Sequence, residues 1–384
     1  MKYNLTDKTL TISIEGEINS NNAEQIETEI DEIISKNICE KLILDFENLT
    51  YISSAGLRVV LKLKKRFPNF TIDQVNLEVY DIFSMTGFVD IMDVKKALNK
   101  VDVTGCEIIG EGYFSIVYRI DKDTIIKVFK EDTDIKNVER ELNLAKQAFV
   151  LGIPTAISFD VVKVGDKLGV RFEMLNSVSL RDMIRDNPDK FDQLVKKYAE
   201  LLITINTTRS QDTHLPNTKE HWLRKVEFIK EYLDEDQYQK CKSLIGSVPE
   251  KDTFVHGDCH VKNILTQGDE LLLIDMDTLS KGHHIFELAA LYAPYIAFEE
   301  DDPGNSERFM GLSFETTQKI FYDTLKYYFG KESQEYIEKI KIVAYIHMVW
   351  WNRTFQPENY VRLEGCKKRL LSLIDKYDNL DIEN

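Results

Sequence analysis

The amino-acid sequence predicts a small α/β domain followed by a larger α+β domain with a strand-rich first part and a helical second part. Up to residue 98, apolar strands interleave with amphipathic helices. From residue 105, short strands alternate with glycine-containing turns, and beyond residue 176 long amphipathic helices dominate. A chain of 384 residues is long enough for two or more such domains.

Composition narrows the class of protein. The sequence is 43% hydrophobic and 30% charged, as in ordinary globular proteins, and its formal net charge of −16 argues against general nucleic-acid binding. The cysteines are scattered without a Cys-x-x-Cys pair, so we expect no zinc site or disulfide framework and a reducing, cytoplasmic location. The first residues lack an apolar signal core, and no apolar run approaches the roughly 18 residues of a membrane span.

The chain is organised around residues 254–277. Residues 254–265 (FVHGDCHVKNIL) read as a strand end, a polar loop and a return to apolar strand. A turn-rich spacer at 266–270 then leads to a buried strand that ends in Asp275 and Asp277. This hairpin predicts that Asp258, Asn263 and Asp275 converge at one mouth.

The predicted cluster suits phosphoryl transfer. That chemistry needs a carboxylate to orient or deprotonate the attacking hydroxyl, and oxygen ligands for the Mg²⁺ that bridges the nucleotide phosphates. Asp258 fits the catalytic role, and Asn263 and Asp275 fit the metal-binding role. We therefore predict an enzyme that uses ATP and Mg²⁺ as cofactors.

Residues 256–265 (HGDCHVKNIL) also resemble the catalytic loop of the aminoglycoside-phosphotransferase and choline-kinase-like families, which have a bilobal protein-kinase-like fold. The resemblance implies that Asp275 is the metal-binding Asp and that His256 bonds backbone near it. His260 either positions Asp258 or lines the acceptor site. Glu287 precedes Leu-Ala and reads as a structural anchor. The alternative, a polar hairpin with a chance carboxylate, does not account for so many matches at fixed spacing.

Residues 108–120 (IIGEGYFSIVYRI) predict a strand, a tight turn and a second strand. Gly110 and Gly112 in the turn allow backbone N–H groups to approach phosphate oxygens. A strand follows this turn, whereas a helix would follow it in a dinucleotide-binding fold. Ser115 occupies the place of the third glycine of protein kinases, as is common in the phosphotransferase relatives.

The next strand, 123–129, contains Lys127 among apolar residues, which is typical of the lysine that holds the nucleotide α- and β-phosphates. An exposed strand lysine is the alternative. The helix that follows offers Glu139 or Glu141 as the partner of Lys127, and the family resemblance favours Glu141. The residues at 173–175 are predicted to form the adenine-binding hinge, with Met174 either in the pocket or in the core: Glu173, Met174 and Leu175.

Two features of the helical part bear on the phosphate acceptor. Trp350 and Trp351 could stack on a substrate, since this lobe supplies the acceptor pocket in the phosphotransferase relatives, or they could simply pack in the core. The acidic run 299–302 reads as a solvated loop, or as an acidic pocket for a cationic acceptor. The sequence leaves both pairs of alternatives open.

The first domain has its own resemblance. Its order of strands and helices, with a strand expected at 89–94, and its segment 45–57 (DFENLTYISSAGL) resemble the STAS domain of bacterial anti-sigma-factor antagonists. In that family a loop at this position carries a regulatory phosphorylated serine, which corresponds to Ser54. Two positions depart from the family pattern: Ser53 stands where the family has Asp, and Ala55 where it often has Ser or Thr.

Ser54 has two interpretations. It could be the N-cap of the helix that follows, accepting a backbone N–H. It could also be a phosphosite, because a helix start favours a phosphate and the added charge would change which partner docks. The predicted division is a STAS-like domain at 1–98, a linker at 99–104, a kinase-like N-lobe at 105–175 and a helical C-lobe at 176–384.

Three functions follow. The first is phosphorylation of a small hydroxylated molecule, with the STAS domain regulating or docking. The second is a serine/threonine protein kinase that phosphorylates a STAS-domain serine, its own Ser54 or that of a partner, in a sigma-factor regulatory pathway. The third is a non-catalytic anti-anti-sigma-like binding protein whose kinase fold senses nucleotide. The expected partners are ATP, a hydroxyl acceptor and a STAS or anti-sigma protein.

Overall fold

The structure is a computed structural model that describes residues 1–112, 114–130, 133–175, 177–210 and 215–383. The chain divides into a smaller unit, residues 1–102 with 162–166, and a larger unit, residues 103–161 with 167–384. A separate hydrophobic cluster lies in each of them. Tyr113 in the predicted glycine-containing loop and Asn176 at the predicted lobe junction lie outside the described residues.

The smaller unit is an α/β fold. Its elements are β1 Lys2–Thr6, β2 Thr9–Ser13, β3 Gly16–Ile18, α1 Ala23–Lys36, β4 Lys41–Asp45, β5 Leu49–Ile52, α2 Ser54–Arg66, β6 Phe70–Val75, α3 Leu77–Met85, β7 Asp93–Lys96 and β8 Asn99–Lys100.

A five-stranded sheet in the order β1-β2-β4-β6-β7 forms the centre of this unit. β2, β4, β6 and β7 run parallel, and β1 pairs antiparallel with β2. The inward residues of β2 and β4 alternate with partly exposed ones, so the strand period places one face of the sheet in the core. β3 and β5 form a separate two-stranded pair.

Two predicted features of this unit are corrected. The strand expected at 89–94 is replaced by a 3₁₀ turn at Phe88–Asp90, and β7 begins only at Asp93. Gly87, with φ of 73°, turns the chain before that point. The N-cap of α2 is Ser53 and not Ser54: Ser53 is extended and its hydroxyl accepts from the Gly56 N–H at 3.4 Å. Ser54 is the first helical residue and is exposed.

The larger unit begins with a strand-rich lobe: β9 Glu107–Glu111, β10 Ser115–Arg119, β11 Thr124–Phe129, α4 Ile135–Val150, β12 Ser158–Val164, whose last three residues are grouped with the smaller unit, and β13 Lys167–Glu173. Its strands follow the order β12-β13-β11-β10-β9. The Asp134 side chain caps α4, and Val138, Leu142 and Ala145 on one face of that helix are buried. This face holds α4 against the lobe and leaves its other side for the site.

A helical lobe follows, with these elements: β14 Val178–Ser179, α5 Leu180–Asp186, α6 Phe191–Thr207, α7 Thr218–Phe228, α8 Glu235–Ser247, β15 Phe254–Val255, β16 Ile264–Gln267, β17 Glu270–Leu273, β18 Ser280–Lys281, α9 Ile285–Tyr292, α10 Phe298–Glu300, α11 Asn305–Met310, α12 Phe314–Phe329, α13 Gln334–Phe355 and α14 Tyr360–Ile374.

The predicted hairpin is confirmed. β16 and β17 are antiparallel, and Gln267 pairs with Glu270, so the turn is only Gly268 and Asp269. The chain therefore returns directly from the polar loop at 256–263 to the residues after β17. Among the described residues, no helix is both long and apolar enough to cross a bilayer.

Candidate active site

The loop between β15 and β16 presents Asp258, and buried groups hold its backbone. The fully buried carboxylate of Glu287 accepts the N–H of His256 and, at 3.1 Å, the N–H of Gly257. Gly257 has φ of 84°, a conformation that a side chain would strain. Burial raises the pKa of Glu287 to about 7, and the two backbone donors oppose that rise. Glu287 has the contacts of the structural anchor expected from the sequence.

His256 links this loop to the strand that leads to Asp275. Its Nε2 lies 3.3 Å from the Ile274 carbonyl, and its Nδ1 accepts the Asp258 N–H at 3.2 Å. The ring is fully buried, and burial lowers its pKa. A neutral ring that donates from Nε2 and accepts at Nδ1 satisfies both contacts.

Asp258 is oriented by Asn263 but stays open to solvent. The Asn263 side-chain amide donates to the Asp258 carbonyl and to its Oδ2, each at 3.0 Å. The Asp258 side chain is 47% exposed, and His260 Nε2 lies 3.6 Å from its Oδ1. Partial desolvation raises the pKa of Asp258 to about 6, with Asp275 adding to the rise and His256 and Asn263 opposing it.

Burial lowers the pKa of His260 to about 4, so its ring is neutral near pH 7. Its contact with Asp258 is therefore not an ion pair at that pH. The ring also meets the edge of Phe309, with centroids 5.6 Å apart. His260 thus lies between Asp258 and an aromatic side chain, a position compatible with either of its two predicted roles.

Lys127 joins three elements that are distant in sequence. Its Nζ lies 2.7 Å from Glu141 Oε1 on α4 and 2.6 Å from Asp275 Oδ1 just after β17. Glu141, not Glu139, is therefore the neighbour of Lys127. Burial disfavours the charged form of Lys127, but the two carboxylates outweigh it and raise its pKa. Burial raises the pKa of Glu141, while Lys127 lowers the pKa of Asp275 despite desolvation.

A cavity of about 330 Å³ surrounds these groups. Of the predicted residues it is lined by Gly112, Ser115, Lys127, Glu141 and Asp275. Gly110 lies instead within β9, paired with Val117. Sequence reasoning missed several lining residues: Phe114, Phe129, Thr133, Asn137 and Arg140. For the two residues on α4 the sequence did contain a signal: Asn137 is four residues before Glu141 and Arg140 is three residues after Asn137, so they could have been predicted to lie beside it.

Asp277 also lines the cavity, as a second carboxylate two residues after Asp275. Desolvation and the charge of Asp275 raise the pKa of Asp277 to about 7. Two carboxylates held so close repel each other, which favours a proton or a cation between them. This is the electrostatic situation that a bound divalent cation relieves.

The donor set fits Mg²⁺. Asn263 uses its amide hydrogens on Asp258, so its side-chain oxygen is left as a ligand, and Asp275 and Asp277 add carboxylate oxygens. Among the described residues, no group of three or more His, Cys, Asp or Glu side chains forms a ready metal cluster. Mg²⁺ takes one or two carboxylates and completes its shell with phosphates and water.

The predicted hinge residues lie where β13 ends. The Glu173 side chain accepts the Ile157 N–H at 2.7 Å, and the Met174 N–H donates to the Asp123 carbonyl at 2.8 Å. Leu175 is buried. These contacts fix the strand end, and none of the three residues lines the 330 Å³ cavity.

The two tryptophans belong to different clusters. Trp350 packs beside Lys225 and His347 on α7 and α13. Trp351 meets Phe298, with ring centroids 4.9 Å apart, and Phe298 in turn contacts Phe309 beside His260. The structure therefore connects Trp351 to the catalytic loop through aromatic rings, whereas Trp350 is half-buried and packs against the core of the larger unit.

The acidic run at 299–302 is neither a solvated loop nor a free acidic pocket. Asp301 forms a bidentate pair with Arg369, both distances 2.7 Å, and Asp302 pairs with Arg308 and Arg362. The Glu299 carboxylate accepts from backbone amides. Glu300 accepts from tyrosine hydroxyls and pairs with Arg369. Both sequence interpretations of this run are thus wrong, because arginines remote in sequence neutralise it.

Comparison with known families follows the same division of the chain. A profile described as the phosphotransferase enzyme family matches residues 105–317, more than half of the sequence. The chain belongs to the phosphotransferase enzyme family. A STAS domain profile matches residues 2–101 of this phosphotransferase.

Curated relatives match the STAS part. One is BtrV of Bordetella bronchiseptica, named as a candidate anti-sigma factor antagonist: it is 38% identical over 92 residues, which cover 23% of the phosphotransferase and 78% of BtrV. An anti-sigma F factor antagonist of Paenibacillus polymyxa is 26% identical over 89 residues, 22% of this chain and 76% of that protein. The phosphotransferase therefore carries an N-terminal STAS domain.

Solved structures of aminoglycoside phosphotransferases resemble the larger part. The gentamicin complex of APH(2")-IIa is 15% identical, covers 70% of this chain and 91% of that chain, and has a TM-score of 0.47. ADP-bound APH(2'')-Ib is 15% identical, covers 72% of this chain and 94% of that chain, and has the same TM-score of 0.47. The two profile matches and the elements described above together give an α/β STAS domain followed by an α+β phosphotransferase domain with a strand-rich lobe and a helical lobe.

Proposed function

We propose that this phosphotransferase moves the terminal phosphoryl group of ATP, as its Mg²⁺ complex, to a hydroxyl group of a small molecule. One observation carries the proposal: Asp258, held by Asn263, shares a loop and hairpin with Asp275, which contacts the Lys127–Glu141 pair. A base, metal ligands and a phosphate-binding lysine are the parts that phosphoryl transfer requires.

Asp258 acts on the acceptor. Its half-exposed carboxylate accepts the hydroxyl proton while the acceptor oxygen forms a bond to the terminal phosphorus and the bond to the bridging oxygen breaks, releasing ADP. With a pKa of about 6, Asp258 is mostly ionised near pH 7 and remains basic enough to receive the proton. Asn263 fixes the carboxylate so that little reorientation is needed in the transition state.

Lys127 and the carboxylates position the donor nucleotide. Glu141 holds Lys127 for the α- and β-phosphates, and Asp275, Asp277 and Asn263 would hold Mg²⁺. The metal supplies charge neutralisation of the phosphates when bound. Because Lys127 contacts Asp275 directly, nucleotide binding must exchange this ion pair for contacts to phosphate and metal.

A neutral or anionic acceptor is favoured over a polycationic one. The carboxylates of the acidic run are committed to arginines, tyrosines and backbone amides. Next to Asp258 lies Lys262, whose Nζ sits 4.6 Å above the Phe309 ring; burial and the nearby Arg181 lower its pKa. A basic and aromatic surrounding suits neutral or anionic hydroxyl compounds.

A serine of a STAS domain is the second candidate acceptor. Ser54 is exposed at the start of α2, whose free N–H groups favour a phosphate. The STAS relatives are named as anti-sigma factor antagonists, which makes a partner in sigma-factor regulation the matching context.

The test is to incubate the purified chain with Mg-ATP and measure its intact mass, beside Asp258→Ala and Ser54→Ala. ATP hydrolysis that depends on Asp258 without a gain in mass supports a small acceptor, to be found by screening neutral and anionic alcohols. One added phosphate that both substitutions abolish supports the Ser54 kinase. Neither hydrolysis nor a gain in mass supports a non-catalytic binding protein and overturns both, and a chain that also fails to bind Mg-ATP does not sense nucleotide either.

A further inference from the structure

We propose that Arg140 on α4 forms a subsite for the terminal phosphate of the nucleoside triphosphate, and so distinguishes the triphosphate from the diphosphate product. The inference rests on the proposed function, because it concerns the same nucleotide cavity. It adds a residue that motif reasoning did not single out.

Arg140 lies at the wall of the nucleotide cavity. Arg140 and Asn137 on α4 line the same 330 Å³ cavity as Gly112 and Ser115. Arg140 immediately precedes Glu141, and Glu141 forms an ion pair with Lys127. Adjacent residues of α4 therefore contribute one cation, Arg140, and fix the other, Lys127. The backbone of α4 is anchored by its buried face, so the position of Arg140 at the cavity is fixed.

Arg140 differs from the other cations of this lobe in its hydrogen-bond and ion-pair partners. Within the part of the chain that the structure describes, no hydrogen bond or ion pair joins Arg140 to another side chain. Lys127, in the same cavity, is engaged by two carboxylates. Arg119 and Arg171 in the same lobe also have acidic partners, Glu107 and Asp160. With respect to the described residues, Arg140 is therefore a cation available to a ligand.

The charges that line the cavity also favour a role for Arg140. Among the described residues, the charged lining of the cavity consists of the carboxylates Glu141, Asp275 and Asp277 and the cations Lys127 and Arg140. A triphosphate with one Mg²⁺ still carries net negative charge, and the carboxylates already neutralise Lys127. A guanidinium can bind two phosphate oxygens at once through its planar fork, which a lysine cannot do.

The terminal phosphate is the group that Arg140 can serve. Lys127 takes the α- and β-phosphates in the proposed function, and Asp275 and Asp277 would hold the Mg²⁺ that accompanies the nucleotide. The phosphate that remains without a protein cation is the terminal one. Its departure on transfer leaves Arg140 unpaired again, which weakens binding of the diphosphate product.

The test is a titration of the full chain with fluorescent methylanthraniloyl-labelled ADP and with the equally labelled β,γ-imido analogue of ATP, both with Mg²⁺. Arg140→Met is expected to weaken the triphosphate analogue about 10-fold and ADP less than about 2-fold, as loss of a charge-assisted hydrogen bond implies. Arg140→Lys should fall between, since it keeps the charge and loses the fork. Lys146→Met is the matched control, an exposed cation on the same helix outside the cavity.

Equal weakening of both nucleotides, or no weakening, would overturn the subsite, because Arg140 would then act only through its general charge or not at all. The outcome for the wild-type chain separates the two proposals. If it binds neither nucleotide, the proposed function fails and this subsite fails with it. If it binds both and Arg140→Met does not discriminate, only the subsite fails. Thermal unfolding of each variant verifies that it is folded.

Discussion

At the scale of single residues, Asp258 sets how the proposed reaction depends on pH. Its pKa is raised to about 6, chiefly by desolvation, and only the ionised form can accept the acceptor proton. We therefore predict that the transfer rate, or the ATP hydrolysis rate with water as acceptor, rises through about pH 6 and levels above pH 7. Initial rates between pH 5 and 8 measure this.

Asp258→Asn should lower the rate at pH 7.5 by at least about 100-fold, because the amide cannot take the proton. Asp269→Asn is its control, since Asp269 is a fully exposed carboxylate on the hairpin turn. A rate that stays constant from pH 5 to 8, or an unchanged rate in Asp258→Asn, would remove Asp258 from the base role.

A second residue, Lys225, places a titratable amine in the interior. It is 6% exposed, lies 4.2 Å from the Trp222 ring and 4.7 Å from the Trp350 ring, and its Nζ is 2.8 Å from His347 Nδ1. Burial lowers the pKa of Lys225 from 10.5 to about 7. Between these values the unfolded chain binds more protons than the folded one, so this lysine makes the free energy of unfolding rise with pH.

Lys225→Met should remove that dependence. At pH 7 we expect the free energy of unfolding of the variant to exceed that of the wild type by about 1–3 kcal/mol. Removing the buried amine removes its desolvation cost, but the variant also loses the contacts of the cation with two aromatic rings. The difference should shrink as the pH approaches 10. Urea unfolding at pH 7 and 9.5 measures it, with exposed Lys368→Met as control. A variant that is less stable at pH 7 would show that the aromatic contacts outweigh burial.

At the scale of elements, local signals predicted helices better than strands. α6 at Phe191–Thr207 and α12 at Phe314–Phe329 are among the amphipathic helices expected beyond residue 176, because apolar spacing of three and four residues is contained within each helix. β1 was not singled out from the sequence: its five residues alternate between polar and apolar types, but all of them are exposed, so no buried face supports a strand there. A strand at a sheet edge is defined by its partner, and the partner is not local.

Two glycines test packing between elements of the larger unit. A Cβ at Gly282, between β18 and α9, would lie 2.8 Å from Thr218 Cβ, whereas a Cβ at Gly246 in α8 would meet nothing within 4 Å. Gly282→Ala should therefore cost about 1–3 kcal/mol through overpacking. Gly246→Ala should stabilise by about 0.5–1 kcal/mol through helix propensity.

Thermal unfolding of both glycine variants compares the same chemical change at a crowded and an open position. A destabilised Gly246→Ala would mean that α8 has a neighbour at that point in solution. An unaffected Gly282→Ala would mean that α7 can move away from β18 without loss.

At the scale of the whole molecule, the sequence predicted the two families and the chemistry of the cleft but not the partners of its charges. The motif at 256–265 is contiguous, so its role could be inferred without a fold. The neutralisation of Asp301 and Asp302 depends on Arg369 and Arg362, and the exposure of Arg140 to the cavity depends on how α4 packs. Such pairings are products of tertiary structure, which local patterns do not encode.

The separate cores of the two units predict where nucleotide binding stabilises the chain. All residues of the proposed nucleotide site lie in the larger unit, so saturating Mg-ADP at about 100 times Kd should stabilise it by about 2.7 kcal/mol. Hydrogen exchange measured by mass spectrometry should slow in peptides from β11, α4 and residues 256–277, and stay unchanged in β2 and β4. Lys127→Met should abolish the protection. Protection that extends into the STAS sheet would instead show that nucleotide binding is thermodynamically coupled to the STAS domain.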